Sequence, residues 1–210
     1  SRSSPVKQTI SALLLVFALS TSCGNQPKAV DEGKIQNQVY TSEEIGWTIK
    51  IPKGWELLNT KDGEAATEKG KGAIEKTLNQ KIDVSGLQDL ISFRKDKANV
   101  FISNSEKMDF KYKGEWAEHN AALKDVIYNT YINQGLKTDS SETTIEQING
   151  LDFETYAFTI YNPQGQVVLK QILYSRFING FDFGVCLTYN NEKWKNEMLR
   201  AFRSSKFKKR

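Results

Sequence analysis

The chain contains few of the residues on which most catalytic and metal sites depend. Its 210 residues include one histidine, two cysteines and two methionines. A histidine metal site or a histidine-activated nucleophile would have to use His119, and no Gly-x-Ser-x-Gly segment is present. We therefore expect a protein that is not an enzyme, with no catalytic residues, no bound metal and no cofactor.

Cysteine is too scarce for a disulfide framework. Cys23 follows a short apolar segment, and Cys186 lies inside the apolar run 181–189. If Cys23 carries a lipid, Cys186 has no partner within the chain. We expect Cys186 to be a buried, unreactive thiol and the domain to be held together by its core alone.

A strong excess of one charge is also absent. The 29 basic and 25 acidic residues give a formal net charge of +4 and are interspersed along the chain. Nucleic-acid-binding proteins concentrate Lys and Arg on one face, so we expect no nucleic-acid partner. The basic segment 203–210 is an exception. We expect it to be a solvated terminus, and the alternative is contact with anionic lipid headgroups.

Long hydrophobic runs are absent as well. The apolar run 10–19 is half of the roughly 20 residues that span a bilayer; Arg2 and Lys7 precede it, and small residues at 20–22 separate it from Cys23. This pattern predicts a lipoprotein signal peptide over residues 1–22 and a fatty-acyl (palmitate) lipid on Cys23. The position three residues before Cys23 is Ser rather than the usual Leu. Cleavage after residue 20, which would release a soluble protein with a free thiol, therefore stays open.

The anchor signal predicts a cell-envelope protein, lipid-anchored to a membrane on its periplasmic side or at the cell surface. After Cys23, residues 24–38 are polar and show no apolar periodicity. We expect residues 23–38 to be the lipidated cysteine with a flexible tether, and residues 39–210 to be a single folded domain.

Alternation of apolar and polar residues predicts strands in most of that domain. Trp47, Ile49 and Ile51 lie on one face of a strand that Pro52 ends. Asn-Gly pairs at 149–150 and 179–180 are typical of two-residue hairpin turns. The predicted strands are 39–41, 46–51, 87–94, 99–104, 143–148, 151–161, 167–178 and 181–189.

Helical periodicity predicts helices over 64–80 and 114–135 and a closing helix from Asn191. Apolar residues fall on both faces of the last strands, so both faces need a cover. The predicted fold class is α+β, with a central antiparallel β-sheet flanked by helices on both faces (an α/β/α sandwich).

Both ends of the predicted domain carry a motif of a known family. The N-terminal motif is Tyr40 followed by an aromatic strand that ends in Pro-x-Gly-Trp, at 46–55. The C-terminal motif is Tyr-Asn-Asn-Glu at 189–192 and a helix that leads into Ser-x-Phe, at 198–207. With these motifs the chain resembles the PsbP-like superfamily, and the resemblance covers residues 39–208. That superfamily includes photosystem II extrinsic proteins, a nuclear-import factor that binds a small GTPase, and DcrB-type bacterial envelope lipoproteins. It implies a non-catalytic binding or assembly role and no shared catalytic residues.

Three local features resemble functional motifs. Glu115 and His119 are four residues apart on a predicted helix, but a metal would need further ligands, and a helix-edge histidine is favoured. Gly70-Lys71-Gly72 lacks the other glycine and the hydroxyl residue of a phosphate loop. Aromatic residues mostly follow core stripes, and Trp55, beside a Pro-Gly turn, marks the sheet edge where a pocket is expected if one exists.

Two functions remain open. The first is a membrane-anchored interaction and assembly module that binds an envelope protein. The second is a small-molecule or glycan-binding lipoprotein with a pocket near the sheet edge.

Overall fold

The computed structural model describes residues 28–208, so the predicted signal peptide and Cys23 lie outside the described residues. The three helices of the described range are α1 (Thr60–Leu78), α2 (Glu115–Asn133) and α3 (Glu192–Arg203). None of them is long and apolar enough to cross a membrane. The strands are β1 (Lys34–Gln36), β2 (Val39–Thr41), β3 (Trp47–Lys50), β4 (Glu56–Leu57), β5 (Leu87–Asp89), β6 (Phe93–Asp96), β7 (Asn99–Lys107), β8 (Thr138–Ser140), β9 (Thr144–Ile148), β10 (Leu151–Tyr161), β11 (Val167–Ile178), β12 (Phe181–Tyr189) and β13 (Lys206–Phe207).

The central layer is an antiparallel sheet with strand order β4-β6-β7-β12-β11-β10-β8, in which β5 also pairs with β7 and β9 with β10. Strands β10, β11 and β12 have the predicted bounds. The hairpin turns that join β9 to β10 and β11 to β12 have positive φ angles at Asn149, Gly150, Asn179 and Gly180, as the Asn-Gly pairs require.

Helices cover both faces of this sheet, which confirms the α+β class and the predicted sandwich. On one face, α3 packs Met198, Leu199 and Phe202 against inward-facing aromatic and aliphatic residues of β10 to β12. On the other face, α1 and α2 pack Ile74, Ile127 and their neighbours against β10 to β12. The core is divided between the two faces because successive side chains of a strand point to opposite sides. Cys186 faces α2, while the adjacent Val185 faces α3.

A second sheet, with order β1-β2-β3-β13, packs beside α3. Trp47 of β3 is fully buried and its indole N–H donates to Ser205 Oγ at 2.9 Å. Its ring lies against those of Phe183, Phe202 and Phe207.

This second sheet corrects two predictions. The predicted tether is wrong over residues 28–38, because β1 pairs with β2 and Asp31 N donates to the Asp89 carbonyl at 2.8 Å. The basic C-terminal segment is not wholly a solvated terminus, because β13 pairs with β3 and Phe207 is buried. Both segments are too short and polar to show strand periodicity.

Several element boundaries also differ from the prediction; for example, β7 extends three residues beyond the predicted 99–104. Residues 87–94 form two strands, β5 and β6, that lie in succession along the same edge of β7 and are separated by buried Leu90 and Ile91. Helix α1 begins four residues earlier than predicted because Asn59 caps it: the Asn59 side chain accepts from Asp62 N, and the Asp62 side chain accepts from Asn59 N.

Candidate functional site

Trp55, beside which a pocket was expected if one exists, is buried. It is only 8% exposed, and its indole N–H donates to Glu197 Oε2 at 2.8 Å. Its ring meets those of Phe93 and Trp194 edge to face. Trp55 therefore belongs to the core and is not an exposed wall of a binding pocket.

An open groove lies instead at the end of the large sheet, where the loop 108–114 joins β7 to α2. It encloses about 540 Å³, within the roughly 300–1,000 Å³ typical of small-molecule sites. Its wall is largely aromatic. The lining residues are Phe110, Lys111, Tyr112, Lys113, Gly114, Trp116, Ala117 and Phe177.

Contacts with the fold hold the aromatic walls of the groove. The Trp116 indole N–H donates to Asp182 Oδ1 of β12 at 2.9 Å. The Phe110 ring meets Phe177 of β11 edge to face, with centroids 5.0 Å apart. The Tyr112 hydroxyl donates to Glu118 Oε2 at 2.6 Å, and this bond raises the pKa of Tyr112. The rings are thus positioned before any ligand arrives.

His119 lies behind this groove, on the side of α2 that faces the sheet. Its Nε2 is 3.6 Å from Asp182 Oδ2, and its ring is next to Phe110. The structure does not place His119 and Glu115 at a common metal site: the Glu115 carboxylate accepts from Lys111 N. Within residues 28–208, no three His, Cys, Asp or Glu side chains form a group that could hold a metal.

A buried polar strip continues from His119 across the sheet. Glu106 of β7 is opposite Asp182 of β12, and both are almost completely buried. In the next row, polar side chains surround Gly184 of β12, and the α2 residue Asn120 donates to one of them, Glu154, at 2.5 Å. The members of this row are Asn104, Gly184, Ser175 and Glu154.

A small internal cavity of about 10 Å³ lies at the centre of the strip, bordered by Asn104, Ser175, Asp182 and Gly184. It is about the smallest space that holds one water. The buried Asn104 Oδ1 has no hydrogen-bond partner among the described residues.

Asp89 of β5 extends the strip towards α1. Burial, and then the charges of Asp31 and Glu64, raise the pKa of Asp89 to about 6. Its carboxylate occupies the place where a Cβ of Gly63 would lie, since that atom would be 2.1 Å from Asp89 Oδ2. The absence of a side chain at Gly63 therefore lets α1 pack against this carboxylate.

The remaining sequence candidates are structural. Cys186 is fully buried, as expected, and burial raises the pKa of its thiol to about 12. Residues 70–72, which superficially resemble a phosphate loop, lie in the interior of α1.

Sequence reasoning missed the groove and the polar strip. Acidic and amide residues inside otherwise apolar strands, such as Asn104, Glu106 and Asp182, were the available signal for the strip. Nothing in the sequence joined Phe177 to the loop 108–114, because strand pairing alone brings these distant segments together.

No protein-family model and no curated protein match this chain. Among solved structures, the fold is similar to the solution structure of cyanobacterial PsbP (CyanoP) from Synechocystis sp. PCC 6803. The TM-score is 0.53 with 13% sequence identity, over 90% of this chain and 98% of that one. At this identity the similarity concerns the fold alone, and the domain has a PsbP-like fold.

Proposed function

We propose that this protein is a bacterial lipoprotein, anchored through Cys23 to a membrane of the cell envelope, whose domain binds an envelope protein and assists its assembly or maintenance without catalysis. The signal-like segment before Cys23 supports the anchor. The resemblance to PsbP-like proteins, with no shared catalytic residues to carry over, supports the binding role. The fold itself serves unrelated partners and does not select one.

The observation that carries the proposal is how soon the folded chain begins after Cys23. The Lys28 carbonyl already accepts from Thr60 N, at 2.8 Å, at the start of α1. Five residues span at most about 17 Å even when fully extended. A lipid on Cys23 therefore holds the domain directly beside the membrane, within reach of membrane-embedded partners.

The anchor is tested by growing cells that express the full chain with an alkyne analogue of palmitate. We expect the label on the native protein in the membrane fraction and no label on a Cys23→Ala variant. An unlabelled native protein in the soluble fraction would contradict the anchor and favour cleavage after residue 20.

The binding role is tested by mild crosslinking of the native protein in membranes, followed by purification and mass spectrometry. We expect a reproducible envelope complex with the native chain that is depleted with Cys23→Ala. Recovery of the monomer alone from labelled, membrane-bound protein would contradict the assembly role and leave the anchor standing.

The second candidate function is ligand binding, and the aromatic groove favours it. Its volume suits a small molecule, and its rings are held in place by the fold. The groove that supports this candidate borders loop 108–114 and does not include Trp55 in its lining.

A further inference from the structure

We propose that the groove at loop 108–114 binds a small ligand made of a flat apolar ring that carries an anionic group. This inference rests on the second candidate function and adds the chemical class of the ligand. The lysines that line the groove, rather than its apolar walls alone, define that class.

The aromatic walls of the groove favour a ligand that contains a flat ring. Phe110, Tyr112, Trp116 and Phe177 all border the same space, and aromatic faces and edges pack favourably against another ring. Gly114 also lines the groove, and a Cβ at this residue would meet nothing within 4 Å, so the space beside it is open. A flat group therefore has room to enter beside the first turn of α2.

The lysines at the groove favour a ligand that carries an anionic group. Lys111 and Lys113 line it, and within residues 28–208 neither ammonium group forms an ion pair with a carboxylate. The two nearby carboxylates keep their negative charge but bond to neutral donors and not to these ammonium groups: Glu115 accepts from Lys111 N, and Glu118 accepts from the Tyr112 hydroxyl. The two ammonium groups thus remain available to a ligand.

Helix α2 adds to the same preference. Its N-terminus borders the groove at Gly114, which has no side chain to cap the first-turn amides. The positive end of the helix dipole favours an anion, and Glu115 and Glu118 offset part of this field. The dipole supports the two lysines and does not by itself define the site.

The ligand class is tested by ligand-observed NMR titration of the purified full chain in detergent with three probes of equal size. These are 3-phenylpropionate, 3-phenylpropan-1-ol and 3-phenylpropylamine, which differ only in the charge at one end. We expect the carboxylate to bind roughly fivefold more tightly than the alcohol, the gain from two exposed ion pairs, and the amine to bind most weakly.

A pair of matched variants assigns this preference to the groove. The double variant Lys111→Gln/Lys113→Gln is expected to bind the carboxylate and the alcohol equally. The control Lys34→Gln/Lys53→Gln removes the same charge from exposed positions outside the groove lining and is expected to keep the preference. Tyr112→Ala is expected to weaken both probes, and thermal melts verify that every variant is folded.

Three outcomes with these probes would overturn the inference. They are no binding of any probe, equal binding of all three to the native protein, and retention of the carboxylate preference by Lys111→Gln/Lys113→Gln. Tighter binding of methyl β-glucoside than of the carboxylate would also overturn it, in favour of a glycan. None of these outcomes depends on lipidation or on a protein partner. A failure of this inference is therefore distinguishable from a failure of the labelling or crosslinking test.

Discussion

The two faces of the large sheet are built differently, although the same strands supply both. The face under α3 is mainly apolar and densely aromatic, with Phe202 in contact with four other rings. The face under α1 and α2 is mainly apolar beneath their C-terminal halves, where Tyr131 donates to Gln171 and Gln171 donates to Thr188. Beneath their N-terminal halves lie Asp89, Asp182 and the other members of the polar strip.

This difference separates stability from recognition within one fold. An apolar face contributes burial energy in proportion to its area, whereas buried carboxylates and amides must be offset by hydrogen bonds. The groove lies at the end of the sheet where the polar strip begins. Asp182 connects the strip with the groove, because its carboxylate accepts from the indole N–H of Trp116. We therefore expect changes under α3 to reduce stability, and changes near the groove to affect binding.

The largest effect is expected from Phe202→Ala, which breaks the apolar face. Phe202 is fully buried among Trp47, Phe101, Phe153 and Tyr174, so its removal leaves a cavity. The free energy of unfolding, measured with urea, should fall by about 3–5 kcal/mol. The control is Arg200→Ala, at an exposed residue of the same helix, which should change the free energy of unfolding by no more than about 0.5 kcal/mol. Equal effects of the two variants would show that α3 is not a packed cover.

A smaller loss is expected from Asp182→Ala on the polar face. The variant leaves the Trp116 indole N–H without its acceptor, which costs about 1–3 kcal/mol in unfolding free energy. The control is Asp152→Ala, because Asp152 is exposed and its carboxylate accepts from Gln147 at the surface. A loss as large as that of Phe202→Ala would remove the distinction between the two faces.

The variant Asp89→Asn tests the polar face through the pH dependence of the unfolding free energy. Because the pKa of Asp89 is raised to about 6 in the folded protein, against about 3.9 unfolded, the folded state holds the proton more tightly. The native chain thus loses stability as pH rises from about 4 to 6, and the loss is complete above pH 6. We expect Asp89→Asn to gain about 1–2 kcal/mol in unfolding free energy relative to the native chain between pH 4 and pH 7.5. A difference that is constant with pH would contradict a buried carboxylate.

The smallest effect on stability is expected from Tyr112→Ala at the groove. Tyr112 is 54% exposed, and its hydrogen bond to Glu118 is at the surface. The unfolding free energy should change by no more than about 0.5 kcal/mol while binding of aromatic probes weakens. A loss above about 1.5 kcal/mol would mean that loop 108–114 is part of the core rather than a wall of the groove.

Most of the fold was predictable because its signals are local. The Asn-Gly pairs fix the hairpins that bound β10 and β12, and Asn191 caps α3 through a bond to Trp194 N at 3.2 Å. The candidate site was not predictable to the same degree. Trp55 looked like a surface residue beside a turn, and its bond to Glu197, 142 residues away, together with the rings of Phe93 and Trp194 makes it part of the core.

Local sequence patterns were enough to predict the three helices, the long strands of the hairpins, the sandwich of helices around an antiparallel sheet and the burial of Cys186. Each follows from periodicity, caps and turns within a few residues. Three features depend instead on long-range contacts: the pairing of β13 with β3, the inclusion of residues 28–38 in the fold, and the contact of Phe177 with Phe110 at the groove. These contacts join segments that are short, polar or far apart, so their stability comes from the partner surface and not from their own pattern.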